Sequence, residues 1–177
     1  MKLDIPSPPR TIMEVYKSLP EGTLAELING QIYMSPTPTN QHQRIVGKLF
    51  RKLCYFVEQA DLGEIFLSPS DLYLDELVNA VQPDLYFISK TNTMVVDPVI
   101  PNCGIPDLMV EILSSDRKYD LVTKKDLYEK FGVKEYWIID PFTKEAIVYQ
   151  YSNSAYQLTG KSTGKIYSPL FKNEFEF

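Results

Sequence analysis

The sequence predicts an α/β (α+β) fold in which a mixed β-sheet is flanked by helices, and three kinds of segment indicate it. Short apolar runs bounded by turn residues occur along most of the chain, as is typical of strands. Two longer segments, 41–59 and 120–131, carry apolar residues at the spacing of an amphipathic helix. The last segments alternate and turn like an antiparallel meander.

Length and composition favour one domain, residues 1–177, because 177 residues with 44% hydrophobic content can bury a sizeable core. The proline-containing residues 1–9 are expected to form a flexible arm. The chain has no apolar run of about 18 residues and no apolar signal region at its start, so we expect a cytoplasmic protein without a membrane partner. Cys54 and Cys103 lack metal-ligand spacing and should be reduced thiols.

The net charge of −5 argues against a protein that coats nucleic acid nonspecifically. It does not exclude a nuclease, because local charge matters more than the sum and bound divalent cations offset an acidic site. Any contact with DNA therefore has to depend on a local basic patch.

The N-terminal third contains a short helix at 11–18, ended by Pro20 and Gly22. Residues 24–35, LAELINGQIYMS, read as two strands joined by Asn29–Gly30, which is the strongest short hairpin signal. This hairpin presents Glu26.

The helix predicted at 41–59 begins with a capping-box pattern at Asn40 and Gln43. Its core stripe is formed by Val46, Leu49, Leu53 and Phe56. Its other sides carry the best local basic patch, a candidate nucleic-acid-binding surface formed by Arg44, Lys48, Arg51 and Lys52. The alternative is an ordinary solvated helix face. His42 falls on the apolar side of the first turn, where a packed or hydrogen-bonded histidine is expected.

Glu111 is the residue that most needs explanation. It lies within the apolar alternation of 107–113, and an ionised carboxylate there is costly unless a cation or several donors satisfy it. Asp107 shares its face but lies about 13 Å away along a strand, so it should be a strand-start residue. Asp84 begins the preceding run DLYFI, and antiparallel pairing of the two runs would bring Asp84 beside Glu111.

Lys124 projects from the apolar arc of the helix predicted at 120–131, so it needs a carboxylate partner, and Asp84 and Glu111 are the obvious ones. The plain alternatives are an i,i+4 ion pair with Asp120 and a snorkelling side chain. The helix should end at Gly132, and a buried strand, EYWIIDP, should follow.

Together these residues resemble the Pro-Asp…(Asp/Glu)-X-Lys nuclease superfamily, abbreviated PD-(D/E)XK. Residues 106–141, PDLMVEILSSDRKYDLVTKKDLYEKFGVKEYWIIDP, and residues 24–49, LAELINGQIYMSPTPTNQHQRIVGKL, are similar to the Uma family of restriction-endonuclease-like proteins. One position departs from the superfamily pattern, since Leu113 stands two residues after Glu111 where a lysine is typical. Matching the Uma motif assigns that lysine to Lys124.

The resemblance implies a restriction-endonuclease-like mixed sheet and a Mg²⁺-dependent (or Mn²⁺-dependent) endonuclease acting on DNA. It implies that Asp84, Glu111 and the Ile112 carbonyl hold the metal and that Lys124 orients water or stabilises developing charge. In the same comparison Glu26 positions a second cation or the lysine, and the context QHQRIV places His42 near the site.

Two other hypotheses remain open from the residues. One is a regulatory or nucleic-acid-binding protein on a nuclease scaffold, since a fold does not guarantee an activity. The other is a structural protein in which Asp84, Glu111 and Lys124 form a buried ion network, and Mg²⁺ should then not raise its thermal stability. Two cuts in a duplex would favour a homodimer by symmetry, although the sequence carries no interface signature.

Overall fold

The computed structural model describes residues 8–94 and 96–177. Most of the predicted arm, residues 1–7, lies outside the described residues, while residues 8 and 9 are exposed and belong to neither helix nor strand. The α-helices are α1 (Ile12–Lys17), α2 (Asn40–Gln59) and α3 (Lys125–Phe131), and a π-helical turn (Tyr119–Lys124) leads directly into α3. The strands are β1 (Ala25–Ile28), β2 (Gln31–Met34), β3 (Gly63–Leu67), β4 (Leu72–Tyr73), β5 (Ala80–Val81), β6 (Leu85–Ser89), β7 (Asn102–Cys103), β8 (Leu108–Ile112), β9 (Glu135–Ile139), β10 (Glu145–Ser152), β11 (Ala155–Thr163), β12 (Lys165–Ser168) and β13 (Asn173–Glu176).

The central sheet is mixed, in the order β11-β10-β9-β8-β6-β3. Strands β8 and β9 are parallel and are joined by the π-helical turn and α3, whereas the other neighbours in this sheet are antiparallel. A parallel pair needs a crossover of this kind because a tight turn can only reverse the chain. The predicted mixed sheet flanked by helices is confirmed.

Strand β8 separates two layers of core because its side chains alternate between the faces of the sheet. Leu108, Val110 and Ile112 pack in the cluster that contains the buried face of α2. Met109 and Leu113 pack on the other face, with Leu127 and Tyr128 of α3 and with the second sheet. Glu111 has the same parity as Met109, so it projects toward α3.

The second sheet, in the order β2-β1-β5-β4-β7, contributes Ile28, Leu72 and Val81 to the core on that face. Its β1–β2 hairpin turns through Asn29 and Gly30, both with positive φ, as predicted. The predicted first helix is also present as α1, which Thr11 caps by accepting a hydrogen bond from the Glu14 N–H.

Two local predictions were wrong. Thr39, not Asn40, caps α2, because Thr39 has extended dihedrals and its hydroxyl accepts from the His42 N–H, so Asn40 is already helical. The segment 120–131 is not one α-helix, since its first part is the π-helical turn. The end of α3 at Gly132, with φ of 72°, is as expected for a left-handed C-cap.

Across residues 8–94 and 96–177, no helix is long and apolar enough to cross a membrane. Cys54 and Cys103 are both free thiols.

Candidate active site

Antiparallel pairing of β6 with β8 brings Asp84 and Glu111 together. Leu85 lies opposite Val110 and Phe87 opposite Leu108, so the register continues to Asp84 opposite Glu111 at the end of the ladder. Asp84 also accepts a hydrogen bond from the Ile112 N–H at 2.7 Å, through Oδ2. Both carboxylates therefore lie at the same end of the paired strands β6 and β8.

Lys124, the last residue of the π-helical turn, reaches Glu111 as predicted, but Asp84 is not among its ion-pair partners; Glu26 and Asp120 take that place. Its Nζ lies 2.9 Å from Glu111 Oε1, 3.1 Å from Glu26 Oε1 and 3.9 Å from Asp120 Oδ1. Its side chain is only 6% exposed. A π-helical turn is rare and commonly marks a functional site, and here it delivers the lysine to the strand ends.

Glu26 uses both of its oxygens within the protein. Oε1 accepts from the Gln82 N–H at 2.7 Å and faces Lys124, and Oε2 accepts from the Tyr119 hydroxyl at 2.8 Å. Of the two roles considered for Glu26, this arrangement favours positioning the lysine.

Asp84 and Glu111 differ from Glu26 because each uses only one oxygen. Asp84 Oδ2 faces the Ile112 N–H and His42 Nε2, and Glu111 Oε1 accepts from Lys124 and from the Tyr128 hydroxyl at 2.7 Å. Within the described part of the chain, Asp84 Oδ1 and Glu111 Oε2 have no hydrogen-bond partner, and neither is among the fully buried unsatisfied atoms. Both free oxygens are therefore open to the cavity that these residues line.

The structure places His42 against Asp84, with Nε2 3.2 Å from Oδ2. Burial would lower the pKa of the imidazole, but the hydrogen bond to Asp84 and its charge raise the pKa on balance. Nδ1 is buried and has no partner among the described residues. His42 therefore lies in the site as a donor to Asp84, consistent with the hydrogen-bonded histidine expected from the sequence.

Three further residues complete the cluster, and sequence reasoning gave none of them a role in the site. Asp120 is buried, and its Oδ2 lies 3.3 Å from the Ser114 N–H. Tyr119 donates to Glu26, and Tyr128 donates to Glu111. Tyr128 had one signal, because it follows Lys124 by four residues and so shares its side of a helix.

Negative charge exceeds positive charge in this cluster. Burial raises the pKa of the Glu111 carboxyl well above its ordinary value, with Lys124 opposing the rise and Asp84 adding to it. Burial likewise raises the pKa of Asp120 against the opposing effect of Lys124. Burial alone would lower the pKa of Lys124, but Glu111, Glu26 and Asp120 raise it well above its ordinary value, so the ammonium stays protonated.

The residues present fit a hard divalent cation. A bound cation would offset the excess of carboxylates, and carboxylate and carbonyl oxygens are the ligands that Mg²⁺ prefers. Within residues 8–94 and 96–177, no group of three or more His, Cys, Asp or Glu side chains is placed to hold a metal ion. Asp84 and Glu111 could supply one oxygen each, the Ile112 carbonyl is the further ligand that the family resemblance implies, and water molecules would complete the shell, as is usual for Mg²⁺.

These groups form the floor of a cavity of about 330 Å³. Its walls come from the loop 35–39 between β2 and α2, from residues 114–116 after β8, and from Phe142. The described lining residues include one Lys or Arg, which is Lys124.

The four cations of the predicted basic patch lie elsewhere. Arg44, Lys48, Arg51 and Lys52 are exposed on α2, and none of them lines the cavity. Lys52 also lies 3.7 Å from Glu176. Their contact with nucleic acid stays a prediction.

Comparison with known proteins is consistent with this geometry. Residues 13–176 match the family model Uma2, described as "Putative restriction endonuclease". The crystal structure of a putative nuclease belonging to DUF820 from Anabaena variabilis ATCC 29413 matches with a TM-score of 0.72 and 23% sequence identity, over 93% of this chain and 92% of that chain. This likeness is one of fold. No curated protein matches the chain.

Proposed function

This chain belongs to the Uma2 family, and from that premise we propose that it is a metal-dependent endonuclease that hydrolyses phosphodiester bonds in DNA. The metal is Mg²⁺ or Mn²⁺, held by Asp84, Glu111 and the Ile112 carbonyl. The homodimer expected from the symmetry of a duplex stays a prediction.

The observation that carries this proposal is that two carboxylates in the cavity each have protein partners on only one of their two oxygens. Asp84 and Glu111 are each anchored through one oxygen by two protein groups, and each leaves the other oxygen open to the cavity. Glu26, in contrast, uses both of its oxygens within the protein.

When bound, the cation would stabilise negative charge on a phosphate oxygen and activate a water molecule for attack on phosphorus. The protein's own contribution is to fix the open oxygens of Asp84 and Glu111 beside the Lys124 ammonium on the buried floor of the cavity. Such a site strengthens electrostatic interactions, because the local dielectric is low.

Lys124 acts as a donor and not as a base, because its raised pKa keeps it protonated. An ammonium has three N–H groups. Two are engaged by Glu111 and Glu26, and the third is available to a phosphate oxygen or to the attacking water. A fixed donor aimed at developing charge stabilises a transition state without reorganisation.

The hydroxyls of Tyr119 and Tyr128 are positioning groups. Tyr119 holds Glu26, Glu26 faces Lys124, and Tyr128 holds the same oxygen of Glu111 that Lys124 contacts. The ammonium and the carboxylate thus keep their geometry before substrate arrives.

The test is cleavage of plasmid and single-stranded DNA at low salt with Mg²⁺ or Mn²⁺, comparing wild type with Glu111→Gln. We expect wild type to cleave DNA only with the cation, and we expect Glu111→Gln to lower the cleavage rate by at least about 100-fold. The substitution replaces a charged carboxylate ligand with a neutral amide. The matched control is Glu135→Gln, which changes another buried glutamate that does not line the cavity. Assayed below its unfolding temperature, it should cleave at close to the wild-type rate.

Two results would overturn the proposal. One is cleavage that survives removal of divalent cations with a chelator. The other is complete absence of cleavage and of cation binding in wild type, which would leave the ion network as scaffold.

A further inference from the structure

The mouth of the cavity carries an exposed aromatic ring. Phe142 is 73% exposed, yet it lines the same cavity as Asp84, Glu111 and Lys124. Single exposed apolar residues are common on protein surfaces, and Tyr167 is another here at 56%. Phe142 differs from Tyr167 because it is continuous with the site proposed above.

The backbone under Phe142 is held in place. Asp140 Oδ1 accepts from the N–H groups of Phe142 and Thr143, at 2.8 and 3.1 Å, and Asp140 Oδ2 accepts from Arg117. The Pro141 carbonyl accepts from Gln41 Nε2 at 3.0 Å, which ties the turn to the first residues of α2. The ring is therefore presented on a braced turn.

Other apolar residues also line the cavity. Met34 is 67% exposed, and Pro36 and Pro38 lie beside it among the lining residues. A protein that binds duplex DNA along its backbone needs cations beside the phosphates, because duplex DNA carries one negative charge per roughly 1.7 Å of axis. The described walls of this cavity offer no such row of cations, since Lys124 is the one Lys or Arg among the described lining residues.

The depth of the floor also argues against an intact duplex. The side chains of Glu111 and Lys124 are 4% and 6% exposed, and that of Asp84 is 16% exposed. A phosphate in a stiff duplex is held in line with its neighbours, so it reaches a buried floor less readily than a phosphate in a single strand. A single strand can bend one phosphodiester inward and unstack a base onto an aromatic ring.

We propose that the substrate at this site is a single-stranded segment of DNA, with one base stacked on Phe142 and the adjacent phosphodiester at Asp84, Glu111 and Lys124. This inference rests on the proposed function and names its substrate class. Recognition by stacking on one ring accepts every base, so little sequence preference is expected.

The test uses an oligodeoxynucleotide of about 12 nucleotides with one 2-aminopurine, as a single strand and as a duplex. Wild type should cleave the single strand at least about 10-fold faster than the duplex, as expected if base stacking contributes to recognition. Phe142→Ala should raise KM for the single strand about 5- to 100-fold with little change in kcat, and Phe142→Trp should restore it. Tyr167→Ala, an exposed ring outside the cavity, should match wild type.

A second readout does not require cleavage. Binding of the oligodeoxynucleotide is measured with Ca²⁺ in place of Mg²⁺. Stacking on wild type should quench the 2-aminopurine fluorescence, and Phe142→Ala should abolish the quenching. The melting temperatures of all variants, measured in parallel, verify that each is folded.

The outcomes separate two claims, that the protein is a nuclease and that its substrate is single-stranded DNA. Equal cleavage of duplex and single strand, unchanged in Phe142→Ala, would overturn the single-strand inference while the nuclease stands. No cleavage with any cation, but quenching that depends on Phe142, would overturn the nuclease and retain single-strand binding. Neither cleavage nor quenching would overturn both.

Discussion

Two neighbouring parallel strands each bury a glutamate, and the two glutamates are used differently. Glu135, at the start of β9, accepts from Trp137 Nε1, Ser168 Oγ and the Leu170 N–H at 2.5, 2.6 and 2.7 Å. These donors are uncharged and occupy both carboxylate oxygens. Glu111, toward the end of β8, accepts from an ammonium and a phenol through one oxygen and leaves the other open to the cavity.

Burial raises the pKa of both carboxyls, but different interactions oppose this rise in the two residues. For Glu135 the hydrogen bonds from Ser168, Trp137 and Leu170 oppose the rise. For Glu111 the charge of Lys124 opposes it, while other carboxylates add to it. A buried acid is thus no guide to function by itself. An unused oxygen, a cavity and an excess of like charge are what distinguish the candidate site from the scaffold.

The largest effect on activity is expected from Lys124→Ala, which removes the cation that faces Glu111. Removing the donor from a buried, preorganised site should lower kcat for DNA cleavage by about 100- to 1,000-fold. Lys134→Ala is the matched control, because Lys134 pairs with Asp107 at the other end of β8 and lies outside the cavity. Near wild-type cleavage by Lys124→Ala would remove the lysine from the mechanism.

A smaller effect should come from the cation itself. Mg²⁺ at about 100 times its Kd should stabilise the fold by about 2.7 kcal/mol. For a chain of this size we expect the melting temperature to rise by about 5–10 °C in wild type and in Glu135→Gln. Glu111→Gln should show little rise. If Glu135→Gln lost the rise and Glu111→Gln kept it, the two glutamates would have been assigned the wrong way round.

The smallest effect is expected at a third buried carboxylate, Asp107. It is 1% exposed and faces Lys134, Asn92 and the Ser89 N–H. Burial alone would raise its pKa, but these hydrogen bonds lower it on balance. A lowered pKa stabilises the fold above the unfolded-state pKa of about 3.9, and this contribution is lost as the pH falls through the folded-state pKa.

Asp107→Asn should therefore lower the free energy of unfolding by about 1–3 kcal/mol at pH 7. Urea denaturation at a series of pH values should show the difference from wild type shrinking below about pH 4. DNA cleavage should be retained, because Asp107 does not line the cavity. A difference that grew in acid would contradict the assigned direction of the pKa.

Much of the fold and part of the site followed from local pattern. Alternation along β8 identified Glu111 as a buried acid, and antiparallel pairing of the DLYFI run with β8 predicted that Asp84 would lie beside it. The apolar arc of 120–131 singled out Lys124. The placement of Asp84 beside Glu111 succeeded because the strand period fixes which side chains share a face, and register follows once neighbouring strands are known. For Lys124 the predicted contact with Glu111 was confirmed, whereas Asp84 is not among its ion-pair partners.

Other features depended on contacts between distant parts of the chain. Tyr119 reaches Glu26, which lies 93 residues earlier, and Glu135 is satisfied by Ser168, which lies 33 residues later. The π-helical turn has no signal of its own in a pattern read at the period of an α-helix. The braced turn under Phe142 needs Gln41 and Arg117, which lie on two other segments.

The sequence by itself determined the class of fold and the strand that carries Glu111, because these follow from periodicity along the chain, and it singled out Lys124 as a charged residue among apolar ones. Only the tertiary structure decided which carboxylate oxygens are used and which face the cavity. Those facts depend on packing between the sheet, the π-helical turn and the β1–β2 hairpin, where each partner is set by long-range closure and not by its neighbours in sequence.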